Sequence, residues 1–367
     1  MSGYPRAAVE SPPMSTSKSR ATVSSDDLAV TAERCAAQLL YGDRAGSAEE
    51  IAGRLLAIQA QDLRGARLAI RARSAGLSAS DVDSALTRRS MVVTWLNRGT
   101  LHLVRSEDYW WLHPLTTPQL RTGNSRRLAQ EGVPPGHADG AVAAVRAALA
   151  ADGPLTRAQL RERVAAAGVR TEGQALVHIL ALASIRGLIV RGPAAGRDQA
   201  FVLARDWLDA PPPVMSREAA LGELARRYLA GHAPADDRDL AQWAGIALRD
   251  ARLGLARCGA MQRADGLAEL PAAPQRAAAA LPPPRLLGAF DPLLLGWASR
   301  DPIVGPHRQI VTVNGLFRPF ALAAGRAVAT WNITRGQVML APFAPLDAET
   351  RAVLRTDAAD VTRFLSR

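Results

Sequence analysis

The stretch that decides the fold lies at 91–104 and reads MVVTWLNRGTLHLV. Two runs rich in β-branched, aromatic and apolar residues flank Asn97-Arg98-Gly99. Such residues favour strands, and Asn and Gly accept the backbone angles of a tight hairpin turn. The pattern predicts a β-hairpin with strands at 91–96 and 100–104.

Helical patterns precede this hairpin. Apolar residues recur at helical spacing from Asp26, and the pattern breaks at Gly42–Gly46. Ser47 then has the character of an N-cap, with Ile51 on the buried face of the helix that follows. A further helix is predicted to begin near Ser80. Helices followed by a hairpin are the outline of a winged helix.

The same outline occurs twice more, at 153–203 and at 233–263. Each copy shows a turn, a short helix, a glycine break, a longer helix, a glycine and a strand. In such units the longer helix usually meets DNA, and Arg249, Arg252 and Arg257 lie on the longer helix of the last copy. The alternative is that these arginines only solvate a polar face.

The two ends of the chain differ from this repeat. Residues 1–25 are rich in Ser, Pro and Ala without periodicity, which predicts a disordered tail. After Pro282-Pro283-Pro284 the pattern shifts to strands, predicted at 310–313, 317–322 and 328–331 with a Gly325-Arg326 turn. We expect winged helices at 26–135, 136–212 and 213–367, the last with a C-terminal β-rich, hairpin-bearing extension.

The charge balance indicates the class of partner. The formal net charge is +11 and the pI about 10.9, so the chain attracts polyanions, and nucleic acid is the first candidate. Lys18 is the only lysine, so nearly every positive charge is a guanidinium, which binds phosphate with two parallel hydrogen bonds. A compositional bias toward Arg is an alternative reason for the missing lysines.

Other classes of protein are disfavoured. Cys35 and Cys258 show no Cys-x-x-Cys spacing, which argues against structural zinc and iron–sulfur clusters. No apolar stretch approaches the roughly 20 residues of a membrane span, and no signal peptide is recognisable. We expect a soluble cytoplasmic protein, associated with the nucleoid, that makes no membrane contact.

One polar cluster is a candidate for chemistry, because the familiar phosphate-loop, zinc-protease and serine-hydrolase motifs are absent. Ile58-Gln59-Ala60-Gln61-Asp62 places two amides two residues apart. Residues i and i+2 share a face only in an extended segment, so a paired role requires the preceding helix to end here. From the spacing alone, an ordinary polar loop between two helices is the alternative.

Three segments in this order resemble the AlkZ-type winged-helix DNA glycosylases: Gln59-Ala60-Gln61, Arg98-Gly99-Thr100-Leu101-His102 and Phe290-Asp291-Pro292-Leu293-Leu294. The resemblance implies an α+β, mainly helical fold of three tandem winged helices, forming a C-shaped monomer with a concave DNA-binding surface. It also implies a catalytic Gln-hydrophobic-Gln motif. A sister branch has Asp at the second position, so Gln61 suggests the branch that resists azinomycin-type crosslinkers.

The chemistry of the expected substrate suits two amides. A purine alkylated at N7 is positively charged and leaves readily, so strong acid catalysis is unnecessary. Gln59 and Gln61 are the candidates for placing a water near the anomeric carbon and stabilising an oxocarbenium-like sugar. Asp62 is a supporting candidate as a base or electrostatic stabiliser, with capping of a helix as its alternative role.

Further residues are candidates for DNA binding. Arg98, Thr100 and His102 belong to the first hairpin, and Arg318 and Arg326 to the C-terminal strands. His102, between two leucines, has a structural hydrogen bond as its alternative role. Asp291 is expected to support the site by orienting Arg300 or lining the DNA channel, or else to stabilise a turn. Trp95, Trp110 and Trp111 are expected to pack rather than to stack on bases.

The predicted function is a monofunctional DNA glycosylase that acts as a monomer on double-stranded DNA carrying alkylated purines. It leaves an abasic site, possesses no metal and requires no cofactor. Since Lys18 lies in the expected tail, a Schiff-base nucleophile is not expected. Two alternatives stay open: a winged-helix DNA-binding regulator or architectural protein, and a protein-interaction module.

Overall fold

A computed structural model describes residues 25–195, 198–271, 280–312 and 315–366. The N-terminal tail predicted from the sequence lies outside these residues, except that Ser25 begins the first helix. Helices and strands occur in separate groups along the described chain, and the paired strands are antiparallel, which gives the expected α+β class.

The first part of the chain combines helices with the predicted hairpin. Its elements are α1 (Ser25–Ala37), α2 (Ala48–Leu55), β1 (Ile58–Gln59), α3 (Leu63–Arg73), α4 (Ala79–Thr87), β2 (Met91–Leu96), β3 (Thr100–Arg105), α5 (Ser106–Thr116) and α6 (Leu120–Gln130). Ser47 caps α2 by accepting a hydrogen bond from the Glu50 amide at 3.1 Å, as expected. The 91–104 hairpin is confirmed, with Trp95 paired to Leu101.

The next part repeats the outline. Its elements are α7 (Pro135–Asp152), α8 (Arg157–Ala166), α9 (Ala175–Ile185), β4 (Ile189–Ala195), β5 (Asp198–Leu203) and α10 (Ala204–Trp207). The predicted short and long helices and both strands are confirmed. The sequence pattern missed that this hairpin joins the first one: β2 pairs with β4 at Val93 and Arg191, giving one sheet in the order β1-β3-β2-β4-β5.

A third set of helices follows, comprising α11 (Arg217–His232), α12 (Asp237–Ala244), α13 (Leu248–Arg257), β6 (Met261–Gln262) and β7 (Ala268–Glu269). The predicted glycine break is confirmed, since Gly245 ends α12 with a φ of 67°. Arg252 and Arg257 are exposed and pair with Asp237 and Glu218 at 2.6 and 2.9 Å, as the polar-face alternative expects.

The C-terminal part contains β8 (Arg285–Leu287), α14 (Pro292–Leu295), α15 (Asp301–Val304), β9 (Phe320–Ala323), β10 (Arg326–Thr334), β11 (Gln337–Pro342) and α16 (Ala348–Leu365). Its sheet has the order β11-β10-β9-β8. The strand predicted at 310–313 is wrong over 310–312: a 3₁₀ turn covers Arg308–Ile310, and Val311 makes one isolated bridge to Phe317. Residue 313 is outside the described residues.

The exposed hairpin differs in detail from the prediction. The turn before Arg326 is confirmed and links β9 to β10. The sequence pattern missed β11, so the freely projecting turn lies instead at Arg335-Gly336, between Thr334 and Gln337. Beyond Trp331 most residues of this hairpin are exposed or half-buried.

Strand β2 lies between two apolar cores. Val93 and Trp95 belong to one buried cluster, and Val92 and Leu96 belong to the other. Because both faces are covered, the strand is a continuous apolar run, not an alternating one. Trp95 is buried, as expected of a packing residue. Within the described residues no helix is long and apolar enough to cross a bilayer.

Candidate active site

The segment that contains the two glutamines is extended, as a paired role requires. Helix α2 ends at Leu55, and Leu56 has a φ of 62°, which turns the chain out of the helix. Strand β1 then pairs antiparallel with β3, where Gln59 lies opposite His102. The Ala60 amide donates to the Leu101 carbonyl at 2.7 Å. The predicted end of the helix is therefore confirmed.

The two amide side chains are hydrogen-bonded to each other. Gln59 Nε2 donates to Gln61 Oε1 at 2.6 Å. Gln59 is only 6% exposed, whereas Gln61 is exposed. The Gln59 amide is thus held within the fold. The Gln61 amide is exposed, and its Nε2 group can donate hydrogen bonds to solvent or to a ligand.

Arg98, from the hairpin turn, reaches Gln59 on its other side. Its Nη2 lies 3.4 Å from Gln59 Oε1, and its Nη1 donates to the carbonyls of Trp243 at 2.5 Å and Gln242 at 3.1 Å. Burial and the nearby Arg300 guanidinium lower the pKa of Arg98. One guanidinium group therefore lies against the glutamine pair, and a second, Arg300, lies close enough to Arg98 to affect its pKa.

His102 lies behind the pair and is almost inaccessible. It is 2% exposed, and its Nδ1 is 2.9 Å from the Thr100 carbonyl oxygen. Burial, together with Arg98, lowers the pKa of His102 to about 3, so the ring is neutral near pH 7 and one ring nitrogen donates to that carbonyl. The ring has the structural hydrogen bond named as its alternative role, and a contact of His102 with DNA stays a prediction. Thr100 is half-buried, and its buried Oγ1 has no hydrogen-bond partner within the described residues.

Asp62 follows the pair and caps α3. Its Oδ1 accepts a hydrogen bond from the Arg64 amide at 3.0 Å, which is the capping role named as its alternative. The start of α3 is closely packed, since a Cβ on Gly65 would lie 2.3 Å from the Ala289 carbonyl oxygen. The absence of a side chain at Gly65 lets the backbone of Ala289 pack against the start of α3.

Asp291 is fully buried, and its partner is not Arg300. Its two oxygens lie 2.8 and 3.0 Å from Arg73 on α3, so the predicted orientation of Arg300 is wrong. Asp291 also accepts the Leu293 amide at 2.9 Å, which confirms the turn-stabilising role. Arg73 is a residue that sequence reasoning missed, because nothing in the sequence of α3 separates it from the other arginines of that helix.

Arg300 instead lies over the ring of Phe317, with 5.1 Å from the guanidinium carbon to the ring centroid. Phe317 in turn packs on Phe290, whose ring centroid is 5.2 Å away. No local sequence pattern marked Arg300 or Phe317 as neighbours. Together they place a cationic and aromatic surface near Arg98.

The remaining DNA-binding candidates lie in the C-terminal part of the chain. Arg318 is exposed just before β9, and Arg326 is half-buried at the start of β10. Of the tryptophans, Trp110 donates to the Asp209 carbonyl at 3.0 Å and Trp111 to Asp108 at 3.2 Å. Both tryptophans therefore have the packing roles expected of them.

The chain is similar to known DNA glycosylases in sequence and in structure. Residues 52–364 match the model of a family described as DNA glycosylase AlkZ-like. An interstrand DNA cross-link repair glycosylase of Streptomyces sahachiroi is 28% identical over 366 residues, covering 91% of this chain and 95% of that protein. The solved structure of the Streptomyces sahachiroi DNA glycosylase AlkZ is similar with a TM-score of 0.76 and 26% identity, covering 93% of this chain and 97% of that one.

Proposed function

The chain belongs to the DNA glycosylase AlkZ-like family, and from that premise we propose that it excises N7-alkylated purines and unhooks interstrand crosslinks. The observation that carries the proposal is the hydrogen-bonded pair Gln59 and Gln61, held in an extended segment with one amide exposed. The related glycosylase of Streptomyces sahachiroi, named for cross-link repair, supports the same substrate class.

The chemistry follows from the charge of the substrate. When the N-glycosidic bond breaks, its electron pair moves to the base and neutralises the N7-alkylated purine, which departs as a neutral product. The sugar is left as an oxocarbenium-like cation at the anomeric carbon. A water bound by Gln61 and Gln59 adds there and releases a proton to the bulk solvent, leaving an abasic site. Asp62 supplies negative charge beside this centre.

The reaction is proposed to be monofunctional. A lyase step needs an amine that attacks the anomeric carbon, and the chain has a single lysine, Lys18. Residues 25–366 contain no lysine to place beside the glutamine pair. Water is therefore the nucleophile.

A crosslinked base cannot be fully extruded, because it is tethered to the opposite strand. An enzyme that unhooks crosslinks therefore reads its lesion on an open surface. We propose that three winged-helix units, 26–135, 136–212 and 213–367, form a C-shaped monomer whose concave face holds double-stranded DNA. The repeated helices, the net charge of +11 and the exposed arginines support this arrangement. Its proposed location is the cytoplasm, with the nucleoid.

The test uses two duplexes, one with a single N7-methylguanine and one with a defined N7-linked interstrand crosslink. After incubation with the protein, hot alkali cuts abasic sites and a denaturing gel separates the strands. We expect cleavage at the lesion in the first duplex and separated strands in the second. An unmodified duplex and a Gln59→Ala protein purified in parallel are the controls.

Each result has a distinct meaning. If both modified duplexes stay intact while the protein binds them, the proposed reaction is wrong and a DNA-binding regulator is favoured. If the methylated strand is cut but the crosslink persists, the glycosylase reaction stands and crosslink unhooking is wrong.

A further inference from the structure

Arg98 lies between the Gln59 amide and the end of α12, and it makes hydrogen bonds to both. We infer that Arg98 is a positioning residue that fixes the direction of the Gln59 amide, rather than a phosphate contact. The inference rests on the proposed function, because it assigns Arg98 a role in the same reaction.

The argument begins with hydrogen-bond direction. A guanidinium group donates through five N–H bonds and accepts none. The Gln59 oxygen therefore faces Arg98, at 3.4 Å, and its nitrogen faces Gln61, to which it donates at 2.6 Å. Reversing the amide would set nitrogen against guanidinium and oxygen against the Gln61 oxygen. Because the Gln59 nitrogen then faces the Gln61 oxygen, the Gln61 Nε2 group is left free to donate to the substrate or the water. Arg98 sets this arrangement through the Gln59 oxygen.

The position of Arg98 is in turn set by α12. Gln242 and Trp243 lie in the last turn of that helix, where carbonyl groups lack intrahelical partners and carry the negative end of the helix dipole. Arg98 donates to both carbonyls. Gly245 permits the close approach, because a Cβ there would lie 2.9 Å from the Asn97 carbonyl oxygen.

The carbonyl groups at the end of α12 also compensate the positive charge of Arg98. Among the described residues no carboxylate forms an ion pair with Arg98, whereas exposed arginines such as Arg252 have acidic partners. The helix carbonyls take the place of a carboxylate. They compensate the charge of Arg98 without a carboxylate partner.

The first test is a double-mutant cycle with Arg98→Met, which keeps the aliphatic stem and removes every donor, and Gln59→Ala. Single-turnover rates are measured at saturating protein on the N7-methylguanine duplex. We expect Arg98→Met to lower the rate at least about ten-fold and to cause no further loss in the Gln59→Ala background. Additive losses would overturn the inference.

A phosphate contact would behave differently. Losing one would weaken DNA binding and reduce the slope of log affinity against log salt by about 1. We expect Arg98→Met to leave both the affinity and this slope unchanged. A reduced slope with an unchanged saturated rate would contradict the positioning role.

Gln119→Ala is the matched structural control. Gln119 Nε2 donates to the Gly245 carbonyl at 2.9 Å, at the same end of α12, and the side chain does not touch Gln59. We expect this variant to lower the thermal unfolding temperature about as much as Arg98→Met while keeping the wild-type rate. An equal rate loss in both variants would mean that Arg98 acts only through stability of the helix end.

A readout independent of activity separates this inference from the proposed function. In protein labelled on glutamine nitrogen, the Gln59 side-chain amide is assigned by its loss in Gln59→Ala. We expect slow exchange of its hydrogens in the wild type and a shifted, fast-exchanging signal in Arg98→Met. An unaltered Gln59 signal would overturn the inference even if the protein is fully active.

Discussion

The β1–β3 segment and the β10–β11 hairpin both present polar side chains, but they are built in opposite ways. Gln59 is buried, and it is hydrogen-bonded to Gln61 and to Arg98. The distal part of β10–β11 is exposed at the edge of its sheet, with Arg335 in the turn. In the β1–β3 segment, hydrogen bonds hold the polar side chains in one geometry. In the β10–β11 hairpin, the charged side chains are solvated and are not held in one position.

Substitutions in these two regions are therefore expected to have different effects. Changes in the first region are expected to alter stability and the rate of base release, because neighbouring groups hold each side chain in one place. Changes among the exposed arginines of the C-terminal part are expected to alter only DNA affinity, because a solvated charge contributes at long range.

The largest effect is expected for the buried ion pair that links α3 to the segment before α14. Arg73 and Asp291 are both 0% exposed in their side chains. Asp291→Asn leaves a buried guanidinium without its counter-charge, and we expect a loss of about 3–5 kcal/mol in the free energy of unfolding in urea. Glu218→Gln, at the exposed pair with Arg257, is the control, with an expected loss under about 1 kcal/mol. Equal losses would show that Arg73 is not held as described.

The next largest effect concerns the stability of the fold at low pH. Burial lowers the pKa of His102 and His232 to about 3, below the ordinary value of 6.5, so the unfolded chain binds more protons between these values. Their contribution to stability is therefore complete above pH 6.5 and is lost as pH falls toward 3.

We expect each of these histidines to reduce the free energy of unfolding by about 1.4 kcal/mol per pH unit in that window. Urea titrations between about pH 7 and about pH 5 measure this loss, above the range in which exposed carboxylates titrate. His102→Gln is expected to make the dependence shallower. An unchanged slope would mean that His102 is hydrated in solution.

A smaller effect is expected at the start of α3. Gly65→Ala places a Cβ 2.3 Å from the Ala289 carbonyl oxygen, so the backbone must shift. We expect a loss of about 1–3 kcal/mol and a slower release of base, because α3 begins beside the glutamine pair. Gly123→Ala, in a helix with open space around it, is the control and should be neutral or stabilising. A wild-type rate in Gly65→Ala would separate this contact from the site.

The smallest effect is expected in the exposed region. Arg318→Ala removes a solvated charge, and we expect the slope of log affinity against log salt to fall by about 1. The single-turnover rate at saturating protein should not change. A reduced saturated rate with an unchanged salt slope would place Arg318 in the reaction rather than in DNA binding.

Local patterns predicted the helices and the first hairpin because the information lies within a few residues. Ser47 marks a helix start, and Asn97-Arg98-Gly99 marks a turn. The shared sheet was not predictable in this way, since the pairing of Val93 with Arg191 depends on tertiary packing. Strand β11 was missed because residues 338–341 form a short continuous apolar run, which does not alternate and cannot be told from a helix segment by its pattern.

The candidate site shows the same division. The glutamine pair was recognisable, since an i, i+2 pair needs only an extended segment, and the end of α2 supplies it. Its supports were not recognisable, because they come from distant parts of the chain: Arg98 meets Trp243 across 145 positions, and Arg73 meets Asp291 across 218. Long-range partners of this kind leave no local signal.

The most direct test of the account compares rate and binding in Gln59→Ala and Gln61→Ala on the N7-methylguanine duplex. Loss of oriented amides should lower the saturated single-turnover rate by about 10²–10³-fold, by analogy with other preorganised hydrogen-bonding groups. DNA affinity and its salt dependence should stay at wild-type values. Wild-type rates in both variants would contradict the central claim that this pair carries the reaction.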